Sequence, residues 1–192
     1  MSAQVKRIAI FASGRGSNAV EIMKHFQDNS FGKVVLVLSN KADAEVLQHA
    51  RAFGIDTFSF SKADFYESDK VLKALQSAQV DVIALAGFLW RVPVTLIEWF
   101  PLAIVNIHPA LLPKFGGQGM YGMHVHKAVK AAGERYSGIT IHLVNDAYDE
   151  GMKLFQARVK LESHDEPEHI AQRVLELEHR YYARVLEGFC RM

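Results

Sequence analysis

Ile8-Ala9-Ile10-Phe11-Ala12-Ser13-Gly14-Arg15-Gly16-Ser17-Asn18 sets a run of apolar residues directly before a turn punctuated by glycines. β-Branched and aromatic side chains favour a strand, the glycines permit a tight reversal, and the periodic residues from 19 to 28 read as a helix. A strand that feeds a helix through so short a turn is the opening unit of a parallel α/β sheet, because parallel neighbours need a crossover to rejoin the sheet.

Outward from that unit the pattern repeats. Apolar runs at 34–38, 57–60, 82–86 and 103–107 alternate with helical periodicity at 44–53, 68–78 and 94–99. The runs are continuously apolar, as strands buried on both faces are, so the expected fold is α/β, with a doubly wound, mostly parallel sheet. After Pro109 the pattern changes. A helix near 124–132 precedes two stretches, 138–144 and 154–161, whose partial alternation suits antiparallel strands covered on one side; they should extend the sheet in the C-terminal half. A last helix is expected from Pro167, a residue suited to the first helical turn, with Ile170, Val174, Leu177, Tyr181 and Val185 on one stripe.

The 192 residues fall within the about 50–250 typical of one domain, and no repeat or linker divides them, so 1–192 is expected to be a single domain. Lys+Arg 22 against Asp+Glu 21 leaves a net charge of +1, which recommends neither nucleic acid nor a membrane surface as partner. Cys190 is the single cysteine, so an intrachain disulfide and a metal-thiolate cluster are both out of reach, and a reducing, cytoplasmic setting is expected. No run approaches the roughly 18 apolar residues of a membrane span.

Three segments could carry chemistry. In Asn106-Ile107-His108-Pro109 an amide and an imidazole stand two residues apart, hence on one face of a strand. Pro109 ends that strand, and the carboxyl ends of open α/β sheets are where ligands bind; the alternative is a pair of satisfied core groups. The turn at Ser13–Asn18 could cradle a phosphate at a helix start, or Asn18 and Glu21 could merely cap the helix. It is not a Walker loop. Ala19 completes a G-x-G-x-x-A spacing, but the second strand ends in Ser39-Asn40-Lys41 where a dinucleotide site would have an acid. The third segment, Asn145-Asp146-Ala147-Tyr148-Asp149-Glu150-Gly151, does not match a calcium loop, and no metal is expected.

Six segments in order, spread over nearly the whole chain, resemble the folate-dependent glycinamide ribonucleotide formyltransferases. They are the Ser13–Asn18 turn, Ser39-Asn40-Lys41-Ala42-Asp43-Ala44, Leu85-Ala86-Gly87-Phe88, Asn106-Ile107-His108-Pro109-Ala110-Leu111-Leu112-Pro113-Lys114, Asp149-Glu150-Gly151 and Glu178-His179. The resemblance implies a Rossmann-like sheet and transfer of a formyl group from 10-formyltetrahydrofolate to the amine of a phosphorylated ribose. It makes Asn106, His108 and Asp149 the catalytic trio. Gly16, Ser17 and Asn18 would hold the substrate phosphate and Glu178 the ribose hydroxyls. Leu89, Trp90, Arg91 and Val92, with Asn145 and Asp146, would grip the folate. Residues 1–100 then form the ribonucleotide half and 101–192 the catalytic and folate half, with small molecules as partners and a homodimer left open.

The chemistry suits these roles. Amine attack on a formyl carbon creates an oxyanion and a cationic nitrogen, so the site needs a donor for the oxygen and a route for the proton. Asn106 can donate without changing charge, and His108 adds a donor when protonated. A carboxylate at Asp149 is expected to favour that charged form. Departures from the family pattern are Leu175 where a polar side chain is usual, a long glycine-rich stretch at 115–122, and no arginine among residues 63–68. The rival readings are a 10-formyltetrahydrofolate hydrolase, a transferase for another amine such as methionyl-tRNA, a nucleotide-binding module without catalysis, and a nicotinamide oxidoreductase. The hydrolase and the tRNA enzyme usually carry an additional domain, which 192 residues would not accommodate.

Overall fold

In the computed structural model, which describes residues 5–147 and 149–192, seven strands form one sheet. They are β1 (Lys6–Phe11), β2 (Gly32–Ser39), β3 (Asp56–Ser59), β4 (Val82–Leu85), β5 (Ile104–His108), β6 (Tyr136–Leu143) and β7 (Lys153–Lys160), arranged in the order β3-β2-β1-β4-β5-β6-β7. Pairings from β3 through β5 are parallel, and β6 and β7 add antiparallel. This is the Rossmann-like, doubly wound sheet with an antiparallel extension that the pattern of apolar runs anticipates.

Side-chain alternation sends β1 into two cores. Ile8 and Ile10 join α1 (Ser17–His25), α2 (Glu45–Ala52), α6 (Met123–Ala131) and α7 (Pro167–Cys190) on one face. Ala9 and Phe11 join α3 (Lys62–Tyr66), α4 (Lys70–Ser77) and α5 (Val94–Trp99) on the other. Helix α3 is unforeseen because it is too short for a periodic signal. A reciprocal cap forms it, with Asp64 N donating to Ser61 Oγ at 3.1 Å and Ser61 N to the Asp64 carboxylate at 2.9 Å. Its Phe65 and Tyr66 rings pack against Trp90.

The apolar stripe of α7 runs differently from its expected course. Tyr182 rather than Tyr181 is fully buried, and its hydroxyl lies 3.0 Å from the Leu85 carbonyl and 2.9 Å from that of Val105. A tyrosine can be buried there because its O–H finds these acceptors. The contact fastens α7 beneath the carboxyl ends of β4 and β5, which positions Glu178 one turn earlier.

Candidate active site

Strand β5 stops at His108 because Pro109 has no N–H for the ladder. Antiparallel register sets Asn106 opposite His142 and His108 opposite Thr140. Thr140 holds the chain after the strand: its hydroxyl donates to the Ala110 carbonyl at 2.7 Å and accepts from Leu112 N at 3.0 Å and Gln156 Nε2 at 2.8 Å. The backbone beyond His108 is thereby fixed from β6 and β7.

A cleft of about 580 Å³ opens at these strand ends, a size that suits small-molecule ligands. Its walls include Asn106, His108, Asp149, Asn18, Glu178, Leu89, Trp90, Arg91, Val92 and Asn145, which the sequence singled out. Gly16, Ser17 and Asp146 are not among the lining residues. Gly16 is the left-handed N-cap of α1 at φ 73°, and a Cβ there would lie 2.3 Å from Val46 Cγ2. Ser17 is exposed at the first position of α1. Asp146 contributes its backbone carbonyl, which accepts from the Arg91 guanidinium and ties the two expected folate walls together.

Helix α1 has no side-chain cap, so the capping alternative for Asn18 and Glu21 fails. Glu21 pairs with Lys24 on the surface instead. The Asn18 side-chain nitrogen donates to the Glu178 carboxylate, and its Oδ1 is buried with no partner among the described residues. Burial raises Glu178 above the usual carboxylate range, and the Asn18 hydrogen bond opposes that shift. An acceptor pair of this kind suits hydroxyl groups.

Asn106, His108 and Asp149, the residues expected to be catalytic, converge, and His142, which the sequence did not single out, joins them. His142 Nδ1 lies 3.0 Å from the Leu143 carbonyl, which can only accept, so Nδ1 carries the hydrogen. His142 Nε2 then accepts from Asn106 Nδ2 at 3.1 Å, which fixes the amide's orientation and leaves its second hydrogen to serve another acceptor. Asp149 stands between the imidazoles, with Oδ1 3.5 Å from His142 Nε2 and Oδ2 3.6 Å from His108 Nδ1. Gly117 N donates to Asp149 Oδ2 at 2.9 Å, so the glycine-rich stretch braces the carboxylate. A polar residue within the apolar strand 138–144 was the available signal for His142. His126 was missed too; it lines the cleft, is buried beside Val125 and Val129 on α6, and its Nδ1 has no partner among the described residues.

His108 departs from expectation in its charge. Burial lowers its pKa, and the attraction of Asp149 and the Phe115 carbonyl recovers only part of that shift, while His142 lowers it further. Desolvation therefore outweighs the carboxylate, and the ring is predominantly neutral near pH 7. Its Nε2 donates to the Phe115 carbonyl at 2.7 Å. For Asp149, burial would raise the pKa, but the His142 contact, the charge of His108 and the Gly117 N–H together hold it below the ordinary value. The pair is a neutral imidazole beside an anionic carboxylate.

An amide, imidazoles and a carboxylate at the mouth of a Rossmann-like sheet suit an enzyme that moves a small acyl unit by polar chemistry. The chain belongs to the formyl transferase family, whose model matches residues 6–186. It is 46% identical over 191 residues to the chloroplastic phosphoribosylglycinamide formyltransferase of Arabidopsis thaliana, covering 96% of this chain and 65% of that protein. With the Vigna unguiculata protein of that name it shares 43% identity and spans 61% of the relative, so it matches less than two thirds of both plant proteins. The Bacillus subtilis phosphoribosylglycinamide formyltransferase is 34% identical over 95% of this chain and 94% of its own length. The crystal structure of phosphoribosylglycinamide formyltransferase from Brucella melitensis superposes with a TM-score of 0.87 at 38% identity, covering 97% of this chain and 96% of that one.

Proposed function

We propose that this protein transfers the formyl group of 10-formyltetrahydrofolate to the amine of glycinamide ribonucleotide, a step of purine biosynthesis. One observation carries the reading: Asn106, His142, Asp149 and His108 form a connected polar group in the cleft that also holds the Asn18–Glu178 pair. The names of the relatives, which include a trifunctional purine biosynthetic protein from Drosophila melanogaster, support the same substrates.

In this mechanism the neutral amine attacks the formyl carbon. A C–N bond forms, and the carbonyl pair moves onto oxygen. Asn106 donates its remaining amide hydrogen to that oxyanion, an arrangement whose loss typically costs about 10²–10³ in rate. His108 donates once its N–H leaves the Phe115 carbonyl. The amine's proton passes through the Asp149–His108 pair to the folate nitrogen as the second C–N bond breaks. Leu89, Trp90, Arg91 and Val92, with Asn145 and Asp146, hold the folate, and Gly16, Ser17 and Asn18 hold the phosphate through backbone N–H groups, with Glu178 on the ribose hydroxyls.

The same reading treats 1–192 as one functional domain, with the ribonucleotide held chiefly by the first half and catalysis in the second. A cytoplasmic setting belongs to the proposal, as the single cysteine suggests, and the chloroplastic names of the plant relatives mark the other compartment. The test is turnover of glycinamide ribonucleotide with 10-formyltetrahydrofolate by the natural protein and His108→Ala side by side, with water alone as acceptor in a control. Ribonucleotide-dependent turnover that falls at least about 10²-fold in the variant is expected. Hydrolysis without an acceptor, or ribonucleotide binding without transfer, would overturn the assignment.

A further inference from the structure

Beyond the backbone cradle, the cleft has an unassigned cation. Among the described residues, Arg15 and Arg91 are the lysine or arginine side chains that line it. Arg91 is engaged with the Asp146 carbonyl at the folate side. Arg15 lies in the turn before α1, three residues ahead of Asn18, and lines the same cleft as Asn18 and Glu178. It is exposed, and none of the ion pairs among the described residues involves it.

Charge balance requires a partner there. A ribose phosphate entering this cleft brings about two negative charges toward the Glu178 carboxylate. Uncapped amides at the start of α1 supply only partial positive charge. The Asn18 side chain cannot add to it: the residue is 8% exposed, its side-chain nitrogen is committed to Glu178, and its Oδ1, which has no partner among the described residues, would repel a phosphate while accepting from a ribose hydroxyl. Leu175 and Ala171, the other α7 residues lining the cleft, offer no side-chain donor.

We infer that the Arg15 guanidinium is the charge partner of the substrate phosphate and makes the cleft select a phosphorylated ribose over the bare ribonucleoside. The inference rests on the ribonucleotide reading above and adds a side chain to it. A planar guanidinium can meet two phosphate oxygens at once, which an ammonium cannot reproduce. Glycines on both sides of Arg15 let the backbone approach the anion while the side chain wraps over it.

The test compares the natural protein with Arg15→Gln and Arg15→Lys in two measurements. The first is kcat/KM for glycinamide ribonucleotide and for its dephosphorylated ribonucleoside. The second is calorimetric binding of ribose 5-phosphate, which needs no turnover. Arg15→Gln should reduce the preference for the ribonucleotide roughly 10- to 100-fold, mostly through KM, and weaken ribose 5-phosphate by a similar factor. Arg15→Lys should lie between the two, and the salt dependence of binding should flatten in Arg15→Gln. Unchanged preference and unchanged ribose 5-phosphate affinity in a folded Arg15→Gln protein would overturn the inference. If the natural protein binds ribose 5-phosphate through Arg15 but never transfers a formyl group, the function proposed above fails and this inference stands.

Discussion

Replacing Asp149 with asparagine removes one negative charge 3.6 Å from His108 Nδ1 and keeps the shape of the side chain. At about 4 Å, two unit charges interact by about 1 kcal/mol under water-like screening and about 4 kcal/mol at the effective dielectric typical of pairs near a protein surface. The cleft lies between these limits, so the variant takes away a substantial part of the attraction that favours the protonated His108 ring. Its value is already lowered by burial, and the variant should push it lower still. Titration of the His108 ring by NMR in the natural protein and Asp149→Asn reads this directly. Turnover should fall about 10²-fold or more, because the cationic imidazole loses its counter-charge during proton transfer, while KM for the ribonucleotide changes little. An unchanged or raised His108 pKa would refute the electrostatic account, and unchanged turnover would remove Asp149 from the mechanism. Because folding lowers the His108 pKa, its stabilising contribution is present above the unfolded value near 6.5 and is lost as pH falls through the folded value.

Removing the His142 ring in His142→Ala should release the Asn106 amide and lower kcat about 10-fold with a smaller change in KM, and His142→Gln should recover part of the loss; equal kcat in all three proteins would exclude the orienting role. Gly16→Ala should destabilise the fold by about 2 kcal/mol or more, read by denaturant unfolding, since the new Cβ meets Val46 and the backbone is left-handed. Tyr66→Phe removes the hydroxyl that donates to the Arg91 carbonyl at 2.9 Å, and KM for the folate should rise up to about 10-fold while ribonucleotide affinity stays constant.

Much of the architecture was legible because it is written in local periodicity. The strand ending at Pro109, the turn through Gly16 and the antiparallel stretches after 136 each carry their own signal within a few residues. The pair Asn106 and His108 could be assigned to one face by counting alone. What local pattern did not contain was the partner across the ladder: His142 joins the site because β6 pairs with β5 in one register, and a shift by one residue would turn it away. Helix α3 escaped for a related reason, being held by its capping box and by aromatic packing on Trp90 rather than by a periodic stripe.

The chain by itself determined the α/β class, the order of elements and the residue types available for formyl transfer, since these follow from hydrophobic spacing and side-chain chemistry. Tertiary structure decided which of those residues meet and how they are charged. It buried His108 deeply enough for desolvation to exceed the pull of Asp149, committed the Asn18 nitrogen to Glu178, and brought Arg15 into the cleft that the Arg91 tie also lines. Both register and burial are long-range properties: they depend on packing between segments far apart in sequence, whose sum no single stretch records.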